Sequence, residues 1–274
     1  MGFRLKLLPF NNVQNTGLAT LDLSNLMGYC VERISLQLGG TAFTKAMMTG
    51  IQLKANGKII YDTTGSRRDA AMQYRGITAN AGFLTLDFSE IRSKTELGQS
   101  LGSLDTTAGI TSLKLEIQIT GATAPTLQGY AEVSRPQLDA GAAPYRALIG
   151  KVHASTVSLA AGGTFAITVP HIDPLNGGSI FKRIAIFSAN MTGIVIKKNG
   201  VVVEESIKAL NDYNATEYRK VPQAGLYMVD FIIDDNQSQA FNSRDAQTIE
   251  VLATFSGAET ITIESEVLEP VGAY

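Results

Sequence analysis

Met48-Thr49-Gly50-Ile51-Gln52-Leu53-Lys54-Ala55-Asn56-Gly57 is the stretch that decides the fold, because it occurs twice. The second version reads Met191-Thr192-Gly193-Ile194-Val195-Ile196-Lys197-Lys198-Asn199-Gly200. The offset is 143 residues, and from 48 to 88 it gives twelve identities in 41 ungapped positions. A repeat of this length is the size of an ordinary domain and too long for a solenoid unit. The sequence therefore predicts one domain duplicated in tandem, with copies at 1–140 and 141–274.

Both copies are predicted to consist mainly of strands. Asn56-Gly57 and Asn199-Gly200 each separate two short apolar runs. Asn-Gly is preferred in tight hairpin turns because both turn positions need φ above zero. Leu113–Ile119 alternates strictly between apolar and polar residues, which is typical of a half-buried strand, and Ile249–Phe255 is its partner in the second copy. The pattern therefore predicts a hairpin and a matching strand in each copy.

The two copies differ in length between Phe88 and Leu113. The Gly-Ala pairs that follow the two matching strands are offset by 136 residues, so the second copy is seven residues shorter in this region. A difference of this kind predicts a surface loop at 89–112 that tolerates insertions. The longer version in the first copy is predicted to be a contact between chains that can be shortened without loss of the monomer fold.

Short helices and one linker complete the predicted organisation. A helix is predicted at 206–219, and residues 66–72 occupy the equivalent position in the first copy. Residues 89–101 have weak helical character. The seam 136–144 is rich in small residues and contains two prolines, which predicts a short and fairly stiff linker. The residues that define one face of the 206–219 helix are Ile207, Leu210 and Tyr213.

Composition and charge exclude several classes of protein. Hydrophobic residues make up 45% of the chain and charged residues 18%, which indicates a globular protein. The net charge is −2, so no specific nucleic-acid binding is expected, and the pair Arg67-Arg68 is interpreted as a solvated face or as salt-bridge partners. Cys30 is the only cysteine, which excludes an intrachain disulfide. No apolar run has the length of a membrane span or a signal peptide, so synthesis in a cytoplasm and at most peripheral membrane contact are expected.

One motif would indicate a hydrolase. Gly98-Gln99-Ser100-Leu101-Gly102 matches the pattern GxSxG, in which a serine nucleophile follows a buried strand and begins a helix. The preceding residues, Ser93-Lys94-Thr95-Glu96, are polar and do not resemble a buried strand. The match is therefore interpreted as chance, and no catalytic residue is predicted.

Candidate metal ligands are few. His153 and His171 share no metal-ligand spacing with each other or with Cys30. Asp234 and Asp235 form a local carboxylate cluster that would suit a structural calcium ion, but the EF-hand spacing and its glycine are lacking. No cofactor is predicted, and Asp234 and Asp235 stand as weak calcium candidates beside the interpretation as a solvated acidic loop.

The order of features in the second copy resembles a known family. Lys198-Asn199-Gly200, then Leu210-Asn211-Asp212-Tyr213-Asn214 with Glu217-Tyr218, then Tyr227-Met228-Val229-Asp230-Phe231, is similar to the corticovirus capsid protein. More broadly, a duplicated chain without a recognised catalytic motif resembles the double jelly-roll major capsid proteins. Corticoviruses are tailless icosahedral bacteriophages with an internal membrane. The resemblance extends from about Thr41 to Glu269.

The resemblance implies an all-β fold of two tandem eight-stranded jelly rolls, upright and side by side, with short helices in loops. It implies a homotrimer of nearly hexagonal outline that tiles the virion capsid, after synthesis in the cytoplasm of a bacterial host. The implied partners are the chain itself, neighbouring capsomers, other virion proteins and, through peripheral contact, an internal membrane. Phe3-Arg4-Leu5-Lys6-Leu7 is a candidate for the membrane side, and an ordinary edge strand is the preferred interpretation.

Two other classes of function stay open at this point. A two-domain β-sandwich binding module would share the composition, and certain glycan-processing enzymes also use paired jelly rolls. An enzyme should show paired carboxylates or a histidine-assisted site in a cleft, which the sequence does not reveal. A binding module should stay monomeric, whereas a capsid protein should trimerise.

Overall fold

The computed structural model of the protein describes residues 2–135 and 148–270. The chain divides into two compact units, and the division is interleaved along the sequence. The first unit comprises 1–72, 78–151 and 269–274, and the second comprises 73–77 and 152–268. The domain boundary predicted at 140/141 and the predicted linker at 136–144 lie outside the described residues and remain predictions. The two-copy organisation itself is visible in the strands described below.

The first copy contains two antiparallel sheets. One has the strand order β1-β9-β3-β6, with β7 also paired to β3, and the other runs β5-β4-β8-β2. The elements are β1 Phe3–Lys6, β2 Gly17–Asp22, β3 Cys30–Ala42, β4 Met48–Ala55, β5 Lys58–Thr63, α1 Gly65–Tyr74, β6 Phe83–Asp87, α2 Glu96–Ser100, β7 Leu104–Asp105, β8 Leu113–Ile119 and β9 Thr123–Ser134.

The second copy repeats this arrangement. Its sheets have the orders β15-β12-β18-β10, with β16 also paired to β12, and β11-β17-β13-β14. The elements are β10 Leu148–Leu159, β11 Gly163–Ala166, β12 Ile180–Phe187, β13 Met191–Lys198, β14 Val201–Ile207, α3 Lys208–Glu217, β15 Leu226–Asp230, β16 Phe241–Asn242, β17 Ile249–Phe255 and β18 Glu259–Pro270.

In both copies the chain passes repeatedly from one sheet to the other, and this is the connectivity of an eight-stranded jelly roll. Alternate residues of each strand point to the space between the sheets and build the core. In the first unit Ile34, Leu86, Leu53 and Ile117 are fully buried. In the second unit the buried cluster includes residues of both sheets: Phe181, Ile184, Ile186, Tyr227, Ile261, Ile263, Ile194, Ile196, Val251 and Phe255.

The offset of 143 residues is confirmed by the pairing registers. Gly50 pairs with Gln118 and Gly193 with Thr254, and in each copy a β-bulge immediately precedes the glycine. A second bulge falls between Leu53 and Lys54 in one copy and between Ile196 and Lys197 in the other. Because a bulge displaces pairing by one residue, matching bulges mean that the two copies have the same register.

The Asn-Gly hairpins form as predicted. Asn56 and Asn199 have φ of 52° and 51°, and the glycine that follows each has φ of 79°. The asparagine side chains also hold the neighbouring strand: Asn56 Oδ1 accepts from Thr111 N at 2.7 Å, and Asn199 Oδ1 accepts from Gln247 N at 2.7 Å. The asparagine therefore supplies both the turn geometry and a cap for the adjacent strand.

Helices α1 and α3 form in the two predicted slots. Each donates a side-chain hydrogen bond to the same strand position: Arg68 Nε to Thr85 O at 2.8 Å, and Asn211 Nδ2 to Met228 O at 3.1 Å. Both pairs obey the 143-residue offset. The weak helical character at 89–101 corresponds to α2, a helix of five residues.

Candidate assembly surface

The second unit contains a fully buried ionic triad. Arg183 of β12 lies between Asp230 of β15 and Glu266 of β18, its partners in the strand registers. Arg183 Nε is 3.1 Å from Asp230 Oδ1, and Arg183 Nη1 donates to Glu266 Oε2 at 2.9 Å. Burial and the nearby Asp230 carboxylate raise the pKa of Tyr74 well above its ordinary value. Every group in the triad has a charged neighbour, which is the arrangement that burial of charge requires.

The first unit carries the same triad on the equivalent strands. Arg33 Nε lies 3.1 Å from Glu132 Oε2 and 3.9 Å from Asp87 Oδ1. Arg68 adds a second cation, with Nη2 2.8 Å from Asp87 Oδ2. Of the predicted Arg67-Arg68 pair, Arg68 is thus a buried salt-bridge partner, one of the two roles that the sequence indicated. In each jelly roll these charges pair with one another.

The GxSxG match does not have the geometry of a nucleophile elbow. Ser100 is exposed at the end of α2, whereas the motif needs a serine at the junction between a buried strand and a following helix. The residues directly before α2 are irregular and not a strand, and Gln99 Nε2 of α2 donates back to Ser93 O at 3.0 Å. The interpretation of the match as chance agrees with this geometry.

The structure brings together two histidines that the sequence analysis treated separately. The rings of His153 and His171 stack with centroids 3.7 Å apart and an interplanar angle of 6°. His153 is buried on β10, and His171 is exposed with φ of 62°. A ring nitrogen of His153 and one of His171 lie within 4.8 Å of each other, which makes the two histidines candidate metal ligands that sequence spacing did not indicate. A turn brings His171 next to His153 of β10, and the number of residues between the two histidines does not indicate this contact.

The candidate calcium ligands lie in a turn after β15. Asp235 Oδ1 lies 2.6 Å from Nζ of Lys220, whose side chain is buried, and Asp234 Oδ1 accepts from Asn236 N at 3.1 Å. A cation at Asp235 would compete with Lys220. Calcium binding by Asp234 and Asp235 therefore stays a prediction, made less favourable by this ion pair.

The stretch 89–112 is not the free loop that the sequence analysis expected. It contains β7, where Asp105 pairs with Cys30 of β3. Thr106 is buried, and its hydroxyl accepts from Gly28 N at 2.9 Å and donates to Tyr29 O at 2.8 Å. The shortening of this stretch stays a prediction, and it has to leave 104–106 in place because these residues are buried in the first unit.

One face of the second unit exposes large apolar side chains. It is formed by β14, the last strand of its sheet, and by α3, which follows directly. Of the described residues of α3 only Ala215 is buried, so the helical face predicted from the sequence is turned to solvent in the isolated chain. Large apolar residues rarely cluster on a surface that stays in contact with water. The exposed residues of this β14–α3 face are Val201, Val202, Val203, Ile207, Leu210 and Tyr213.

The charge on this face is negative along β14. Glu204 and Glu205 are its two ionisable residues, and burial raises the pKa of Glu204 above its ordinary value. On α3, Asp212 is paired with Lys208 at 2.6 Å, and Tyr213 donates to Glu217 at 2.8 Å. The β14–α3 face therefore combines apolar side chains with an excess of carboxylates.

The equivalent elements of the first copy are buried. Val203 and Glu204 of β14 correspond to Ile60 and Tyr61 of β5, which are at most 1% exposed. Likewise α1 buries four side chains, among them Arg68 and Tyr74, where α3 buries only one. Two elements with the same position in the fold thus have opposite exposure in the two copies.

The first strand of each copy shows the opposite difference in exposure: it is exposed in the first copy and buried in the second. Among the described strands, β1 pairs with β9 alone and lies at the edge of its sheet, and Phe3 is 47% exposed. Its counterpart β10 is buried over its first half, including Ile149, Lys151 and His153. The interpretation of Phe3–Leu7 as an ordinary edge strand is confirmed for Phe3–Lys6.

Two family models match the chain. The model described as the viral coat protein P2 N-terminal domain matches residues 4–134, and the one described as the P2 C-terminal domain matches 149–271. A sequence search found no significant match among curated proteins. In the described ranges no helix is long and apolar enough to cross a membrane.

Solved structures share the fold along the whole chain. The major capsid protein P2 from bacteriophage PM2 is similar with a TM-score of 0.87 and 19% identity, covering 100% of both chains. The STIV MCP follows with a TM-score of 0.72 and 14% identity, covering 99% of this chain and 97% of that one. The PBCV-1 virus capsid protein has a TM-score of 0.62 and 11% identity, covering 98% of this chain and 93% of that one. The predicted double jelly-roll fold and the resemblance to the corticovirus type are confirmed.

Proposed function

The chain belongs to the viral coat protein P2 family, and we propose that three copies of it form the trimeric building block of an icosahedral shell. As a coat protein it has its place in the virion shell and is a structural protein, not an enzyme. The trimer, its tiling and its contacts are the parts that we propose.

The duplication is the observation that carries the proposal. Each chain supplies two jelly rolls with the same strand order, matching bulges and an arginine–carboxylate triad on equivalent strands. Three chains then supply six similar wedges, and six wedges fill a hexagonal outline that packs without gaps in a sheet of capsomers. A closed ring of this kind requires a head-to-tail interface that returns to its start after three copies.

The remaining partners follow from the same role. Each trimer would contact neighbouring capsomers and other virion proteins through its outer sides. We place the shell around an internal membrane with peripheral contact only, as in the corticovirus type that the sequence resembles. Specific nucleic-acid binding is not part of the proposed function, because the net charge of −2 provides no basic field.

Native mass measurement tests the proposed trimer. The protein at micromolar concentration should have three times the 29.3 kDa mass of one chain, because an obligate assembly of this kind buries well over ~1,000 Å² per subunit. The same measurement after tenfold dilution should leave the mass unchanged. A stable monomer at both concentrations would contradict the trimer and favour a monomeric two-domain binding module instead.

A further inference from the structure

We infer that the β14–α3 face of one chain is covered by the β1 edge of a second copy of the same chain. The β1 edge is defined as Phe3–Lys6 together with Arg135, whose guanidinium carbon lies 5.9 Å from the Phe3 ring centroid. This inference rests on the proposed trimer and names the two surfaces that meet in it.

The first argument is the opposite exposure of equivalent elements. Within one chain, β5 with α1 of the first copy and the first half of β10 of the second copy are buried. Their counterparts, β14 with α3 and β1, are exposed. A second copy that brought its β1 edge to the β14–α3 face would bury both exposed sets at once. In the proposed ring, every jelly roll would then bury the side formed by β14 with α3, or by β5 with α1, and the side formed by its first strand.

The second argument is charge complementarity. The ionisable residues of β1 are both cations, Arg4 and Lys6, and Arg135 adds a third positive charge. Arg4 also pairs with Glu132 of its own chain at 2.9 Å, and its side chain is still 84% exposed. Those of β14 are both anions, Glu204 and Glu205. Complementary charges at the rim of an interface select the partner and set its register.

The third argument is the state of Glu204. Burial by its neighbours already raises the pKa of this carboxyl, which means that its charged form is poorly hydrated in the isolated chain. A cation brought close by a neighbouring copy would restore the charged form. A membrane surface rich in anionic lipid would do the opposite, so the face fits a cationic protein edge.

The apolar part of the contact is tested with Ile207→Asp. Ile207 is 63% exposed and is the N-cap residue of α3, where it provides no side-chain cap. Aspartate is a preferred N-cap residue, so this variant should raise the melting temperature of the monomer while placing a charge in the contact. We expect at least about a tenfold rise in the concentration at which the trimer dissociates. The matched control is Leu175→Asp, at an 86% exposed position outside both surfaces, with a change of less than about twofold.

The charged residues of the contact are tested by reversing their charges on each side and then on both sides. Glu204→Lys with Glu205→Lys, and separately Arg4→Glu with Lys6→Glu, should each raise the dissociation concentration by about tenfold or more. The four substitutions together restore opposite charges across the contact and should return it to within about threefold of the wild type. Recovery in the fourfold variant cannot arise from misfolding of either double variant.

The outcomes separate the inference from the proposed function. A monomeric wild type would overturn the trimer and this inference together. A wild-type trimer that Ile207→Asp and the charge reversals leave unchanged would overturn only the assignment of the two surfaces. If Arg4→Glu with Lys6→Glu keeps the trimer but abolishes binding to vesicles of anionic phospholipid, the β1 edge is a membrane contact and the inference is wrong.

Discussion

Arg183 Nε lies 3.1 Å from Asp230 Oδ1, and both side chains are only 1% exposed. The same pair exists in the first unit as Arg33 and Asp87, but at 3.9 Å and with Arg33 21% exposed. There Asp87 also has Arg68 at 2.8 Å, whereas Asn211 takes that place in the second unit. The duplicated pair therefore has Arg68 as a second cation beside it in the first copy, whereas the uncharged Asn211 stands at the equivalent position in the second.

Arg183→Met should destabilise the protein strongly. It removes the guanidinium that lies between the buried carboxylates of Asp230 and Glu266, at a cost of about 3–5 kcal/mol. Arg33→Met is the matched control and should cost less than half as much, because Arg68 still neutralises Asp87. Urea unfolding at one fixed protein concentration measures both values. Equal losses would show that the second cation does not compensate.

Asn199 should contribute through both its backbone and its side chain. Asn199→Ala places alanine at φ of 51° and removes the acceptor for Gln247 N and Thr248 N, which should cost about 1–3 kcal/mol. Asn199→Gly removes the same acceptor but tolerates the positive φ, so it should lose less. Thermal unfolding of the two variants separates the contributions. A glycine variant as unstable as the alanine variant would assign the whole effect to the hydrogen bonds.

Thr106 should be required for the fold of the first unit. Thr106→Val keeps the shape of the side chain but leaves Gly28 N and Tyr29 N without their hydroxyl acceptor, at an expected cost of about 1–3 kcal/mol. Thr106→Ser retains the hydroxyl and is the control. Protease resistance and urea unfolding report the loss. If valine is tolerated as well as serine, the hydroxyl does not hold this segment.

Alkaline conditions should unfold the protein partly through Tyr227. Burial raises the pKa of Tyr227 to about 12 from 10.0, and its hydroxyl donates to Ser206 O at 3.1 Å. Between these values the unfolded tyrosine loses its proton while the folded one keeps it. The stabilisation is therefore complete below pH 10 and is lost as the pH rises towards 12.

Tyr227→Phe removes this titration and should flatten the loss of stability between pH 10 and 12. The difference in slope should approach about 1.4 kcal/mol per pH unit, the value for one proton. Urea unfolding at several pH values gives both slopes. Parallel slopes for wild type and Tyr227→Phe would contradict the buried titration.

The local features of the fold could be predicted because their signals are local. Asn56-Gly57 and Asn199-Gly200 specify hairpins through backbone preferences of two adjacent residues, and the alternation of Leu113–Ile119 specifies one buried side of a strand. The 143-residue offset then transferred each assignment to the other copy. Family resemblance, not periodicity, supplied the jelly-roll connectivity.

Features that depend on tertiary contacts could not be predicted. Arg33 and Arg183 are 150 residues apart, outside the 143-residue register, because β3 is longer than β12, so the repeated triad was missed. The stack of His153 on His171 depends on the path of a turn. The apolar pattern of Ile207, Leu210 and Tyr213 is confirmed as helical for Leu210 and Tyr213, whereas Ile207 ends β14. A pattern alone does not say whether such a face packs inside its own chain or against another.

The covalent link between the two jelly rolls fixes their ratio at one to one during translation. If the two wedges were separate gene products, unequal synthesis would leave incomplete rings with exposed β14–α3 faces, which would promote aggregation. A single chain that carries both kinds of edge removes this source of error, because every ribosome that finishes a chain delivers a balanced pair. In the proposed ring, the number of chains that must meet also falls from six to three, which reduces the translational entropy lost on assembly.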